Sequence, residues 1–461
     1  MTRPAPIASS LADSIARQIE EGAYKAGDKL PSLRTLAQLH GYAKNTVVAG
    51  FELLVARGLV EPRRGAGYFV RTDMKPSNPD ETTGSFGRAM DIVWMMREQF
   101  KTVPDALPVG DGFPPVEWLS DVRLDKHHHK VVRTGLGALF RYGTRFGYAP
   151  LRNHLVRKLG DFGIDAEPRQ IVLTQGANAA LDLVIRYFVP PGGTVLVDDP
   201  GYYLLFGKLK LAGANIVGVP RLADGPDLAA LEQLLVTLKP QLFFTQSVAH
   251  NPTGSDTSPA KAYRILQLAQ QHNFMIVEND PLADFKPMAS TRLSSLDHLE
   301  RTIYIGSFSK SFSAALRVGF IACSVDLASD LADLKALIHA NSSEYCERML
   351  DVILSEGNYP KHLARLRDRL GLATQKAQVV LEGLGANIFT RTPHSLYLWA
   401  TLPGVTDSLK LARDMMSQRV LMAPGRLFCV DSSSVSAWSR FNVSAVIDPR
   451  FEEIFSTLSN K

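Results

Sequence analysis

Cysteine is nearly missing from this chain. Cys323, Cys346 and Cys429 are the three in 461 residues, odd in number, scattered and without a CxxC pair. That pattern indicates neither a disulfide framework nor a zinc site, and it suits a reducing compartment. Long apolar runs are missing too. No stretch reaches membrane-spanning length, and the opening residues MTRPAPIASSLADSIARQIEEGAYK lack the continuous apolar segment of a signal peptide, so a cytoplasmic location is expected. Most of the chain also lacks an excess of either charge. Residues 73–461 carry 41 Lys/Arg against 40 Asp/Glu, whereas residues 1–72 carry ten against six. The net charge of +5 therefore sits mainly at one end, as expected if a small segment there faces phosphate.

What is present reads as two or three folded domains at this length. A hydrophobic share of 45% with 21% charged residues is ordinary for a globular chain. SSLADSIARQIEEG sets Leu11, Ile15 and Ile19 one helical turn apart, with Ser9 or Ser10 as N-cap and Gly22 as stop. PSLRTLAQLHG repeats the grammar: Ser32 caps, Leu33, Leu36 and Leu39 form the stripe, and Gly41 ends it. NTVVAGFELLVARG predicts a third helix ending at Gly58, and GYAK between the last two is the short link of a helix-turn-helix. LVEPRRGAGYFVR then predicts two short strands around a basic, glycine-containing tip, a wing. A three-helix interaction module is the alternative reading of the same helices.

GDKLPSLRTLA, NTVVAGFELL, ARGLV and GAGYFV closely resemble the winged helix-turn-helix domain of the GntR family over nearly all of residues 9–71. The resemblance implies a double-stranded DNA partner. Arg34 would contact DNA from the second helix. Lys44, Asn45 and Thr46 would open the recognition helix in the major groove, and Arg63, Arg64 and the Gly65–Gly67 tip would approach the minor groove or phosphates. Ala43 stands where the family usually has serine, which removes an N-cap worth ~1 kcal/mol. The domain is assigned to residues 1–72. The polar TDMKPSNPDETTGSFG stretch reads as a linker, assigned to residues 73–90, ahead of a second domain at 91–461.

In that second domain the strand-like runs QIVLT, TVLVDD, LFFTQ, FMIVEND and TIYIGS alternate with amphipathic stretches such as ALDLVIRYF and AYRILQLAQQH. This is the pattern of an α/β fold with a mostly parallel central sheet and helices on both faces. Ligands in such folds sit beyond the C-terminal strand ends, and each polar motif follows a strand directly. TQGANAALDL puts Gly176 at a helix start suited to an anion, although a plain capping turn would look the same. DDPGYY offers an aromatic face in Tyr202 or Tyr203, unless that ring only packs. SVAHNPTG presents the Asn251 amide beside Pro252, and VEND ends a buried strand with Asp280, a carboxylate in need of a cationic partner. GSFSKSFSAALRVGF surrounds Lys310 with Ser307, Ser309 and Arg317, a grouping that suits an amine attacking a carbonyl next to a bound phosphate. KHHHK, Lys126 to Lys130, reads as solvated surface, because adjacent histidines on a helix point apart.

Together these groups fit pyridoxal 5'-phosphate, which needs an amine, a carboxylate opposite its ring nitrogen, an amide on its 3-oxygen, a stacking ring and a phosphate cradle. The order of glycine turn, aromatic, NPTG, aspartate, SxSK and arginine resembles the fold-type I aminotransferases across residues about 91–461. The resemblance implies that Lys310 forms the Schiff base and Asp280 holds the pyridinium, with Asn251 on the ring oxygen and Tyr202 stacked on the ring. It further implies that Gly176, Ala177, Asn178, Ser307, Ser309 and Arg317 bind phosphate. RYGTRFGYAPLR resembles the segment whose tyrosine, here Tyr142, reaches the neighbouring subunit's phosphate in a homodimer. SRFNVS resembles the segment whose arginine, here Arg440, receives an amino acid's carboxylate. Where relatives often read DDPY or DDY, this chain reads NDPLADF. Leu282 thus replaces a phenol that bonds the cofactor's 3-oxygen, unless another tyrosine fills the gap.

A GntR-type winged helix fused to an aminotransferase-like domain resembles the MocR subfamily of transcription regulators. The implied function is a DNA-binding regulator that senses pyridoxal 5'-phosphate, or the aldimine that the cofactor forms with an amino-acid effector. One alternative is an active aminotransferase with an appended winged helix. Another is a pure cofactor sensor on which no amino compound acts. Leu282 favours the sensors, and Arg440 favours an amino-acid effector.

Overall fold

A computed structural model describes residues 7–20, 24, 27–56, 59–63, 67–70, 105–122, 124–133, 140–286 and 290–459. The chain divides into two compact units, Met1–Gly84 and Ser85–Lys461. The assigned linker, residues 73–90, and Arg64 lie outside the described residues.

The first unit holds α1 (Ile7–Glu20), α2 (Leu33–His40) and α3 (Lys44–Ala56), then β1 (Val60–Arg63) and β2 (Gly67–Val70). The apolar stripes converge as their spacing predicts: Leu11, Ile15, Leu36, Val47, Phe51 and Leu54 are buried together with Val60 and Val70 of the wing. Ser32 caps α2, its Oγ accepting from Thr35 N at 3.1 Å. Gly41 ends the helix in the left-handed conformation at φ 66°, which glycine adopts without steric cost. The strands pair antiparallel from Val60 opposite Val70 to Arg63 opposite Gly67. One expectation is corrected. Because Ile7 to Glu20 are helical in α1, Ser9 and Ser10 lie inside the helix and neither is the N-cap.

The second unit is built on an eight-stranded sheet. Its strands are β3 (Ile171–Thr174), β4 (Thr194–Asp199), β5 (Asn215–Leu222), β6 (Gly225–Pro226), β7 (Leu242–Thr245), β8 (Met275–Asp280), β9 (Thr302–Ser307) and β10 (Gly319–Ala322). Their spatial order is β3-β10-β9-β8-β7-β4-β5-β6. Strands β5, β4, β7, β8 and β9 run parallel. β10 is antiparallel to both β9 and β3, because the short connection Phe308–Val318 returns the chain directly and cannot make a parallel crossover. That connection carries Lys310. Both faces of the sheet are covered: Ile171 and Leu173 belong to one apolar cluster with Leu155, Phe320 and Leu366. The intervening Val172 belongs to another with Leu181, Val184 and Leu331, as alternation along a strand requires. A second, antiparallel sheet is formed by β11 (Asn387–Ile388), β12 (Tyr397–Thr401), β13 (Ala423–Pro424) and β14 (Trp438–Asn442) in the order β11-β12-β14-β13.

The histidine run departs from the surface reading. His127 is buried, with Nδ1 3.1 Å from Glu356 Oε2, and His128 bonds the Tyr345 hydroxyl, while His129 is exposed. Residues on one helix point apart, so one of the three turns inward. No helix among the described residues is long and apolar enough to cross a membrane.

Candidate functional site

The polar motifs of the second unit gather at the C-terminal strand ends, where an open α/β sheet leaves backbone ends and side chains free for a ligand. Asp280 closes β8 and Ser307 closes β9. Gly176 follows β3 and leads into helix Ala177–Phe188. Asn251 lies on the loop after β7, its N–H held by Gln246 Oε1 at 2.7 Å.

Three groups of side chains result. The first surrounds Lys310. Its Nζ donates to the Gly112 carbonyl and lies 4.3 Å from the Phe113 ring centre. The Tyr397 hydroxyl donates to the same carbonyl at 2.8 Å. A methyl group placed on Gly112 would sit 3.4 Å from Lys310 Nζ, 3.6 Å from Arg440 Nη2 and 3.7 Å from the Tyr397 oxygen, so three functional groups converge there. Arg440, on β14, is buried; Nη1 donates to Asn251 Oδ1 at 2.8 Å and Nη2 to the Gly110 carbonyl at 2.7 Å. Its guanidinium lies 4.5 Å over the Tyr397 ring. Leu282 is buried in the apolar core, and the phenol on the Lys310 side of the site comes from Tyr397.

The second group surrounds Asp280. Oδ2 accepts from Arg292 Nε at 2.7 Å and from the Tyr304 hydroxyl at 3.1 Å, while Oδ1 is buried without a partner among the described residues. The cation that Asp280 requires is therefore Arg292. Burial alone would lower the pKa of this guanidinium, but the carboxylate outweighs burial and holds it above its usual value.

The third group is the turn at Gly176. Arg317 Nη2 donates to the Gln175 carbonyl at 3.1 Å, Tyr202 donates to Asn178 Oδ1 at 3.4 Å, and Ser309 N donates to Ser307 Oγ at 3.2 Å. Burial raises the Tyr202 phenol above its usual pKa, so the ring stays neutral. A Cβ on Gly319 would lie 2.6 Å from the Gly176 carbonyl carbon, so the start of β10 presses against this turn. Tyr142 stands apart from these groups, 85% exposed beside the equally exposed Phe140.

Beneath Asn251 a buried polar network locks the loop. Arg221 donates to Asp198 Oδ2 at 3.0 Å, Ser255 Oγ at 3.0 Å and Thr257 Oγ1 at 3.3 Å, and His250 Nε2 lies 3.4 Å from the same Asp198 oxygen. Burial pushes Asp198 up, but Arg221 and His250 outweigh it, so its carboxyl remains below the usual value. Burial and then Arg221 push His250 down to about 4.

In the winged helix, Arg34, Lys44, Asn45 and Gly67 are exposed and Thr46 is half-buried. Arg63 lies across the Phe69 ring at 4.4 Å and pairs with Glu61 at 2.8 Å. A surface pair of this kind is worth about 1 kcal/mol or less, so phosphate can displace it.

Arg292, Tyr397 and Phe113 were missed by reading the sequence. The single available signal was that Asp280 needed a cation; Gly112 and Phe113 lie in GDGFPP, outside every motif used above.

The two-unit architecture has clear relatives. Residues 7–70 match the gntR family of bacterial regulatory proteins, and residues 123–456 match the class I and II aminotransferases. The chain is 29% identical, over 82% of its length and 77% of the relative's, to the probable rhizopine catabolism regulatory protein MocR of Rhizobium meliloti. The chain belongs to the MocR subfamily of GntR-type transcription regulators. Another relative of this MocR-type regulator is the uncharacterized HTH-type transcriptional regulator YdcR of Escherichia coli, 27% identical over 94% of this chain and 93% of that one. Among solved structures, the α-aminoadipate aminotransferase LysN of Thermus thermophilus shares the fold at a TM-score of 0.73 and 24% identity, covering 82% of this chain and 97% of that one.

Proposed function

We propose that this MocR-type regulator senses an amino compound through pyridoxal 5'-phosphate held at Lys310, and that the winged helix carries the response to DNA. The observation behind this reading is the convergence of Lys310, Tyr397 and Arg440 on Gly112, together with a buried carboxylate at the end of β8 that has one unsatisfied oxygen. Asp280 Oδ1 has no partner among the described residues, and an unsatisfied buried acceptor costs roughly 1–3 kcal/mol. A ring N–H is a donor suited to that position. The Gly176 turn at a helix N-terminus, with Arg317 beside it, suits a phosphate. LysN was solved with N-(5'-phosphopyridoxyl)-L-leucine, a compound of the class proposed here.

When bound, the cofactor supplies an aldehyde that condenses with amines. The protein's own residues do the rest. Lys310 supplies the amine, Asn251 and Tyr202 would position the ring, and Ser307, Ser309, Ala177 and Asn178 would complete the phosphate cradle. Arg440 already has two of its nitrogens paired, one of them to Asn251. An incoming carboxylate would compete for that arginine and disturb the loop that holds the amide. The exposed Phe140 and Tyr142 suit cover by a second copy of the chain, the proposed homodimer. In the first unit, Arg34, Lys44, Asn45, Thr46 and Arg63 would meet double-stranded DNA.

The test is a gel shift on operator DNA with the full-length protein, with and without pyridoxal 5'-phosphate and a panel of amino acids. The expected result is a visible absorption band that Lys310→Ala abolishes, and DNA affinity that changes with one class of amino compound. A Lys310→Ala protein retaining the band overturns the cofactor assignment. Turnover of an amino donor at ~10 per second, as in ordinary enzymes, overturns the sensor in favour of an aminotransferase.

A further inference from the structure

Asp280 is not the lone carboxylate that its position on β8 suggests. Its Oδ2 is occupied by Arg292 at 2.7 Å and by Tyr304 at 3.1 Å, which leaves Oδ1, without a partner among the described residues, to face a ligand. Arg292 is completely buried, with its guanidinium 4.1 Å from the Phe162 ring centre and a 3.3 Å bond from Nη1 to the Ser290 carbonyl. Two further ionisable groups lie close: Lys158 Nζ is 5.0 Å from the same Phe162 ring centre, and Glu278, whose pKa burial raises, stands two positions earlier on β8. Its carboxylate accepts from Ser247 Oγ and from the backbone N–H groups of Leu293 and Ser294, so it is satisfied elsewhere. Arginine does not lose its proton in proteins, so Arg292 opposes Asp280 at every pH at which the protein is folded.

A negative charge beside a pyridine nitrogen raises that nitrogen's affinity for a proton, and a cation behind the charge weakens the effect. We propose that Arg292 is a positioning residue that lowers the proton affinity of the ring nitrogen facing Asp280 Oδ1, so that the cofactor is held firmly while its ring withdraws electrons weakly. Tyr304, donating to the same oxygen, acts in the same direction. This inference rests on the cofactor reading given above. It explains how a chain carrying most of the aminotransferase constellation, with Leu282 in place of the phenol, can bind an amino compound without turning it over: the carboxylate stays in place, and its field is weakened from behind. A purely structural Arg292 would affect stability and leave the ring nitrogen unchanged.

The experiment loads the full-length protein with pyridoxal 5'-phosphate labelled with 15N in the ring and follows the ring nitrogen's chemical shift against pH. Borohydride reduction of a parallel sample, followed by peptide mapping, checks the link to Lys310. Wild type and Arg292→Lys are expected to lose the ring proton together, at a pH ~1–3 units below that of Arg292→Met. Coincident titrations of wild type and Arg292→Met, with the label found on Lys310, overturn this inference and leave the cofactor reading intact. A label missing from Lys310 overturns both. Because Arg292→Met strands a buried carboxylate and can fail to fold, the wild-type titration also decides alone. Loss of the ring proton within the stable pH range supports the proposal, and a nitrogen protonated across that whole range overturns it.

Discussion

Among the described residues the two units differ in the cations they bury. In the winged helix, Arg34 and Lys44 lie in water, and Arg63 makes a pair that solvent weakens. In the large unit, Arg221, Arg292, Arg440, Lys286 and Lys335 are all nearly inaccessible, and each faces a carboxylate, an amide or a backbone carbonyl. Exposed cations act at a distance and are screened by salt within about 10 Å at 0.1 M. Buried cations act by contact, are little affected by salt, and cannot be removed singly without leaving a charge or acceptor uncompensated. One unit is therefore built to meet a changing external partner, and the other to hold a fixed internal geometry.

The strongest way to break this comparison is Arg221→Met. It leaves Asp198 buried without its cation, so a loss of 3–5 kcal/mol of stability is expected, roughly the cost of breaking a buried pair. Urea unfolding at low and high salt should show the same loss. A loss that disappears in high salt would place Arg221 with the exposed cations instead.

A somewhat smaller effect is expected from His250. Its folded pKa of about 4 lies below the ordinary 6.5, so the native state favours the neutral ring. The stabilisation is complete above pH 6.5 and is lost as pH falls toward 4, amounting to about 3 kcal/mol at most. His250→Gln should therefore lose less stability than wild type between pH 6.5 and 4, as measured by urea midpoints at each pH. Parallel curves for the two proteins would remove His250 from the network.

The smallest change in stability is expected at Lys44. Lys44→Ala should leave unfolding within about 0.5 kcal/mol of wild type, yet reduce the slope of log affinity for DNA against log salt by about 1. An unchanged slope would show that Lys44 does not meet phosphate.

The same division governs how much of the molecule could be read from its sequence. The winged helix was legible nearly residue by residue, because its helices, the Ser32 cap and the Gly41 stop are local features. TVLVDD and TIYIGS were legible as strands for the same reason, and they form β4 and β9. Lys310, Asp280, Asn251 and Arg440 could be named as candidates because each sits in a motif. Arg292 was not, since its partner is chosen by the packing of the segment before Leu293 against the end of β8. Tyr397 and Phe113 reach Lys310 from β12 and from the segment ahead of the sheet, and no local pattern announces either approach. His127 turned inward because Glu356, far along the chain, offered it a partner. The reversed direction of β10 follows from the short connection after β9, visible only once the strand ends are known.

The meeting of Gly319 with Gly176 has a consequence for mutational tolerance. The atoms that an added methyl would strike belong to the backbone of Gly176 and Ala177, at 2.6–2.8 Å, so no rotamer change can make room. A saturation library at position 319, selected for folded protein, should return glycine alone. The same library at Gly160, where nothing lies within 4 Å, should return many residues. The strand that follows the lysine and the turn that precedes the helix are thus joined at a point where inheritance has no freedom, and any future variant of this regulator must change its chemistry without moving that point.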